Sequence, residues 1–219
     1  MFEITDEIID EHIDKIVDTL DVITKKEKKL TVLVGPNGVG KSLIRKQLGV
    51  RFHDKYPKDR GIVKQVSMQL RTELRSEWGA LACAAHDSEY EPTSMSTYDL
   101  IKRVFGAVEE SKRTYLVIDE PDIGMSLESQ LGIASYMKEM YDSHIDKLLG
   151  MLVITHSADI VKYLVENGAD FLYVGYNFVS FDYDAWVNRE VIPTDFGWLD
   201  EWSSALFKRV RDRSKRRES

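Results

Sequence analysis

A single cysteine, Cys83, is all the thiol chemistry this chain of 219 residues possesses. One thiol forms no internal disulfide and builds no cysteine zinc cluster, which excludes the disulfide-stapled and zinc-ribbon classes. Long apolar runs are missing too: none approaches the ~18–20 residues of a membrane span. The start, from Met1 to Glu7, is acidic and lacks the basic-then-apolar order of a secretory signal. These absences make a cytoplasmic protein the expectation. Proline occurs only five times, and no internal repeat or low-complexity stretch is present. With 43% hydrophobic and 31% charged residues, the chain can bury a substantial core and belongs to the globular class.

What is present is concentrated in three segments. Gly35 to Ser42 read Gly-Pro-Asn-Gly-Val-Gly-Lys-Ser, a full phosphate-binding loop. It follows the apolar run Leu30–Val34 and precedes a helical pattern from Ser42 to Lys55, the strand–loop–helix setting the motif requires. Gly35, Gly38 and Gly40 allow the backbone through Pro36, Asn37 and Val39 to curl so that its N–H groups, which Pro36 lacks, turn inward around a phosphate. Lys41 is expected to reach the β- and γ-phosphates, and the Ser42 hydroxyl to ligate Mg²⁺. The chain is therefore expected to bind a nucleoside triphosphate.

The second segment, Thr114 to Pro121, is a four-residue apolar core ending in Asp119-Glu120. It reads as a buried parallel strand that delivers two acids to the crevice edge. Asp119 is expected to hold Mg²⁺ through its water shell. Glu120, pointing the other way as the next residue of a strand, is expected to polarise an attacking water. The third segment, Met151 to Ser157, is another apolar strand, ending in Thr155-His156-Ser157. His156 there can hydrogen-bond a γ-phosphate. The other histidines, 12, 53, 86 and 144, lie in polar stretches read as exposed and are assigned nothing.

Taken together, these segments resemble the ABC-type ATPase family, in particular its soluble SMC/RecF-like and OLD-type branches, over about residues 29–175. The run Asp119-Glu120-Pro121-Asp122-Ile123-Gly124-Met125-Ser126 is similar to the soluble branch's DEPE-x-G-L-H. The resemblance implies an α/β fold, the P-loop NTPase three-layer arrangement with a mostly parallel central sheet flanked by helices. It implies ATP and Mg²⁺ as cofactors, Glu120 as catalytic base, His156 as switch histidine, and Asp122 and Ser126 in a loop at a dimer interface. It also implies a homodimer when ATP is bound. The family's signature motif falls on Met95-Ser96-Thr97-Tyr98-Asp99, which keeps the serine and loses both glycines. Ser96 is thus a candidate for touching the opposite subunit's γ-phosphate, or equally an N-cap for a helix over Thr97–Val108. Gln69 is the metal-ligand candidate of the family's glutamine loop.

The chain departs from the family ahead of the phosphate loop. In place of strands and an adenine-stacking aromatic it has an amphipathic pattern, with Ile9, Ile13, Ile16 and Leu20 on one face, predicting a helix from Asp6 to Ile23. No guanine-recognition motif appears, which favours adenine. The organisation expected is an N-terminal helix on the core (1–28), an ATPase domain (29–197) and a C-terminal helix with a basic tail (198–219). Residues 208–219 carry seven Lys or Arg against two acids in a chain of net charge −7. That tail is a candidate contact for nucleic acid or an acidic protein partner. Alternatives to a soluble ATPase are the nucleotide-binding subunit of a membrane transporter, a small-molecule P-loop kinase, and an ATP-gated binding module with little hydrolysis.

Overall fold

The computed structural model describes residues 3–26, 28–57, 63–68, 93–109, 113–176, 181–191 and 193–218. The first element, α1 (Asp6–Lys25), begins where Thr5 accepts a hydrogen bond from the Ile8 N–H, 3.3 Å. Asp6 and Glu7 in its first turn and Lys25 in its last complement the helix dipole. Its buried face is Ile9, His12, Ile13, Ile16, Leu20 and Ile23, the predicted stripe with a histidine inside it.

Five strands follow in the order dictated by apolar runs: β1 (Leu30–Val34), β2 (Val63–Ser67), β3 (Thr114–Asp119), β4 (Leu148–Ile154) and β5 (Asp170–Tyr173). They form one sheet in the order β2-β3-β4-β1-β5, with every described pairing parallel. β1, β3 and β4 are buried at every position. A strand covered on both faces needs a continuous apolar run rather than alternation, and this is why the three segments read so plainly in the sequence.

Helices cover both faces. On one lie α3 (Thr93–Glu109), α4 (Leu127–Ser143), α5 (Ala158–Glu166) and the short α6 (Tyr183–Val187), around a core that includes Phe105, Met137, Leu164 and Trp186. On the other lie α1, α2 (Lys41–Lys55) and α7 (Phe196–Glu218), around Ile16, Leu33, Leu48, Phe52 and Trp202. The three-layer α/β arrangement is the one expected. Chain order leaves β1 for the edge strand β2, returns through β3 and β4, and then crosses β1 to reach β5. The connections from β1 thus diverge at its carboxyl end, the crevice where ligands of open α/β sheets bind.

Several sequence-based expectations need correction. His12 is fully buried and His144 nearly so, where both were read as exposed. Helical spacing put His12 on the apolar face, but its polar neighbours masked that. α3 begins at Thr93, four residues ahead of the expected start, so Ser96 lies within its first turn and is not its N-cap. Gln69 and His86 lie outside the described residues.

Candidate functional site

The loop from Gly35 to Gly40 leaves β1 and enters α2 at the crevice. Its first glycine is a matter of space: a Cβ at Gly35 would stand 2.0 Å from the Val174 carbonyl oxygen. Gly38 (φ 75) and Gly40 (φ 92) are in the left-handed region, where a side chain costs roughly 1–2 kcal/mol. Left-handed residues in such a loop are what a nest of N–H groups around an anion requires. Lys41 opens α2, buried, and its ammonium donates to the Gly35 and Pro36 carbonyls, 2.9 and 2.7 Å. Burial pulls its pKa down to about 8, against the opposing pull of Glu120, Asp119 and Asp122.

Asp119 ends β3 and lies opposite Ser67 of β2 in the strand register. Burial raises its carboxyl pKa, and the Arg45 guanidinium opposes that rise. Arg45 Nε is 3.2 Å from Asp119 Oδ2, both side chains largely shielded from solvent. The contact is a close charge pair without hydrogen-bond alignment, since Arg45 Nε has no geometric acceptor. Arg45 is one helical turn beyond Lys41, on the same face of α2.

Glu120 is not the continuation of the strand. It adopts φ 54, an uncommon left-handed conformation for a glutamate, while its N–H donates to the Ile154 carbonyl at 2.7 Å. The turn replaces the expected strand alternation, so Asp119 and Glu120 line the same cleft. Glu120 Oε1 is 3.8 Å from His156 Nε2 at the end of β4. Burial, with Lys41 and Arg189 nearby, lowers the His156 pKa, so the imidazole is neutral at pH 7 and this contact is not an ion pair.

The segments carrying Asp119 and His156 are tied together behind the cleft. The Thr155 hydroxyl donates to Asp122 and accepts from the Ser157 N–H, 3.0 Å; Ser157 in turn donates to Gln130, 2.6 Å. Asp122 is therefore engaged within its own chain. Ser126 is the N-cap of α4, accepting from the Ser129 N–H at 3.4 Å.

One cleft of about 130 Å³ brings together Asn37, Gly38, Gly40, Lys41, Ser42, Asp119 and Glu120, with Phe207 of α7 at its wall. His156 lies beside it, and Ser96 is not among its lining residues. Sequence reading missed the groups that hold the loop from outside. His12 Nε2 donates to the Val39 carbonyl at 2.8 Å, and the Tyr176 hydroxyl donates to the Asn37 carbonyl. Ile16 of α1 abuts Gly40, and Leu199 and Ser203 of α7 abut Gly38. Only the helical phase of His12 and Ile16 signalled this in advance.

Among the described residues no cluster of three or more His, Cys, Asp or Glu is placed to hold a metal. Ser42 and Asp119 still fit Mg²⁺, which takes few protein ligands and keeps its waters. Both are oxygen donors on one cleft, and the Asp119 carboxylate already faces a cation. No described helix is long and apolar enough to cross a membrane.

No protein-family model matches the sequence, and no curated protein matches it. Solved structures show distant likeness. A DnaC helicase loader aligns with TM-score 0.43 and 17% identity over 74% of this chain and 89% of its own. PCH-2 of C. elegans gives 0.39 and 18% over 78% of this chain and 43% of its own. Drosophila ORC bound to GC-rich DNA and Cdc6 gives 0.39 and 12% over 78% and 31%. At this distance, what the chain does must be argued from its own phosphate loop and the two acids beside it.

Proposed function

We propose that this protein is a Mg²⁺-dependent ATPase of the ABC type, acting in the cytoplasm as an ATP-driven homodimer on a protein or nucleic-acid partner. The observation that carries the reading is the convergence of Lys41, Ser42, Asp119 and Glu120 on one cleft at the sheet's carboxyl edge. Loop N–H groups and the α2 N-terminus receive the phosphates. Lys41 exchanges the Gly35 and Pro36 carbonyls for β- and γ-phosphate oxygens. Ser42 and Asp119 would hold Mg²⁺, which would supply neutralisation of the phosphate charge. Glu120 orients a water and accepts its proton as the water oxygen bonds to the γ-phosphorus. The bond from that phosphorus to the β–γ bridging oxygen breaks, releasing ADP and phosphate. Neutral His156 donates a hydrogen bond to the γ-phosphoryl group.

The test is Glu120→Gln, which keeps the shape and removes the proton acceptor. Steady-state turnover is expected to fall ~10²–10⁴-fold, the usual worth of a general base, with Mg·ATP affinity preserved. Equal turnover by that variant removes Glu120 from the role. A second reading, an ATP-gated module that scarcely hydrolyses, draws support from the altered signature and from Ser96 lying inside α3. Single-turnover hydrolysis by the wild type separates the two: a single slow turnover alongside tight binding favours the module.

A further inference from the structure

Two cavities adjoin the phosphate loop; of the residues lining the second, the reaction proposed above uses only Gly35, Pro36 and His156. The second, of about 580 Å³, lies against the loop's first residues, Gly35 and Pro36, and shares no lining residue with the phosphate cleft. Its volume is within the roughly 300–1,000 Å³ of small-molecule sites. Tyr173, Tyr176, Phe181, Trp186 and Trp198 give it aromatic walls. Such walls favour a flat π-system, and stacking on them tolerates any nucleobase.

The polar groups are fewer and more telling. Arg189 holds its guanidinium 3.9 Å over the Trp186 ring and donates from Nη1 to the Trp186 carbonyl, 2.5 Å. No carboxylate pairs with it among the described residues. Asp195, also on the wall, is already committed to the start of α7, accepting from the Gly197 and Trp198 N–H groups at 2.9 and 3.1 Å. Glu190 is exposed. Arg189 is partly desolvated, with burial lowering its pKa, and its charge reaches His156 across the cavity. A guanidinium with spare donors and no counter-ion suits a phosphate or carboxylate. A purely apolar guest would leave that charge uncompensated.

We propose that this cavity binds one nucleotide unit, with its base on the aromatic walls and its phosphate on Arg189, independently of the triphosphate on the loop. A free nucleoside monophosphate and a single nucleotide of a nucleic-acid strand present the same chemistry. Gly35, Pro36 and His156 border both sites, but the aromatic walls and Arg189 that carry this proposal have no part in the ATPase reading.

The experiment titrates AMP, and separately a hexadeoxyadenylate, into the full chain without Mg²⁺ or ATP, following heat and tryptophan fluorescence. Saturable binding at one site is expected. It should survive Lys41→Ala, weaken at least tenfold in Arg189→Ala, and weaken less in Arg189→Lys. Tighter binding of AMP identifies a free nucleotide as the guest; tighter binding of the hexamer identifies a strand. Absence of saturable binding by both probes overturns the proposal. So does AMP binding that Lys41→Ala abolishes and neither Arg189 variant changes, which puts AMP in the phosphate cleft. Mg·ATP titration of the same variants keeps the two questions apart, because the ATPase reading fails only where Lys41→Ala leaves Mg·ATP binding intact.

Discussion

Lys41 is the residue whose protonation has the most direct consequence. Its pKa is held at about 8 by burial, so at pH 8 about half the population lacks the ammonium. A bound triphosphate restores the charged form and must draw a proton from solution to do so. Affinity for Mg·ATP should therefore be flat below pH 8 and fall above it, by up to about tenfold per pH unit. Calorimetry at pH 8 in buffers of different ionisation heat should register uptake of up to about half a proton; proton release would contradict the assignment. Arg45 supports a second prediction. Arg45→Leu takes from the shielded Asp119 carboxylate its close cation and leaves it Ser67 and Lys41, which should cost no more than about 3 kcal/mol, the low end for broken buried pairs. The same change removes a cation that repels and competes with Mg²⁺. Chemical denaturation should show the loss, and saturating Mg·ATP should recover more stability in the variant than in the wild type. The main residues of the cleft were legible because a phosphate loop has fixed spacing and a buried strand ends where its apolar run ends. Arg45 was not, since its role needs β3 beside α2, a contact between residues far apart in sequence. Nor was the left-handed turn at Glu120, which overrode the alternation a strand would have imposed.

At the level of elements, α1 and α7 bear on the phosphate loop from outside the motif. They hold each other through Arg209 with Asp6 and Asp10, and Arg213 with Asp10 and Asp14. Two cations of the basic tail are thus engaged by the acidic face of α1, which weakens the case for that tail as a free nucleic-acid contact. The deeper fastening is His12, buried against the Trp202 ring with centroids 5.0 Å apart and bonded to Val39. Burial lowers its pKa below the usual 6.5, so the folded state prefers the neutral ring. The stability from burying that neutral ring is present above pH 6.5 and is lost as pH falls through the depressed folded value. His156, lowered in the same sense, adds to the slope. His12→Gln should make stability fall less steeply between pH 6.5 and 5 in denaturant titrations; an unchanged slope would take His12 out of the account. The existence of both helices was readable from 3.6-residue periodicity. Their path across Gly38 and Gly40 was not, because periodicity tells which face is buried but not what it is buried against.

For the whole molecule, the question is whether one copy is enough. The mostly parallel sheet between two helical layers was implied by the resemblance that the phosphate loop and the two later apolar strands carry, whereas the strand order required the fold itself. That order places the cleft at the carboxyl ends of β1 and β3, and past the buried Pro121 the segment leading away from Glu120 is exposed at Ile123. Ile123, in the turn before α4, and Leu127 and Leu131, at its start, are 39%, 49% and 40% exposed on either side of Ser126. A cluster of apolar side chains beside a phosphate cleft suits an interface that forms when nucleotide is bound. The proposed homodimer would use this surface, with the γ-phosphate completing it. Hydrolysis dissolves such an interface, so it is best observed where turnover is blocked. Glu120→Gln with Mg·ATP should sediment at twice the monomer mass, and Leu127→Glu in that background should return it to monomer while leaving Mg·ATP binding unchanged. Should Glu120→Gln remain monomeric at concentrations well above its ATP saturation point, the chain works as a single copy, and the exposed leucines must face some other surface.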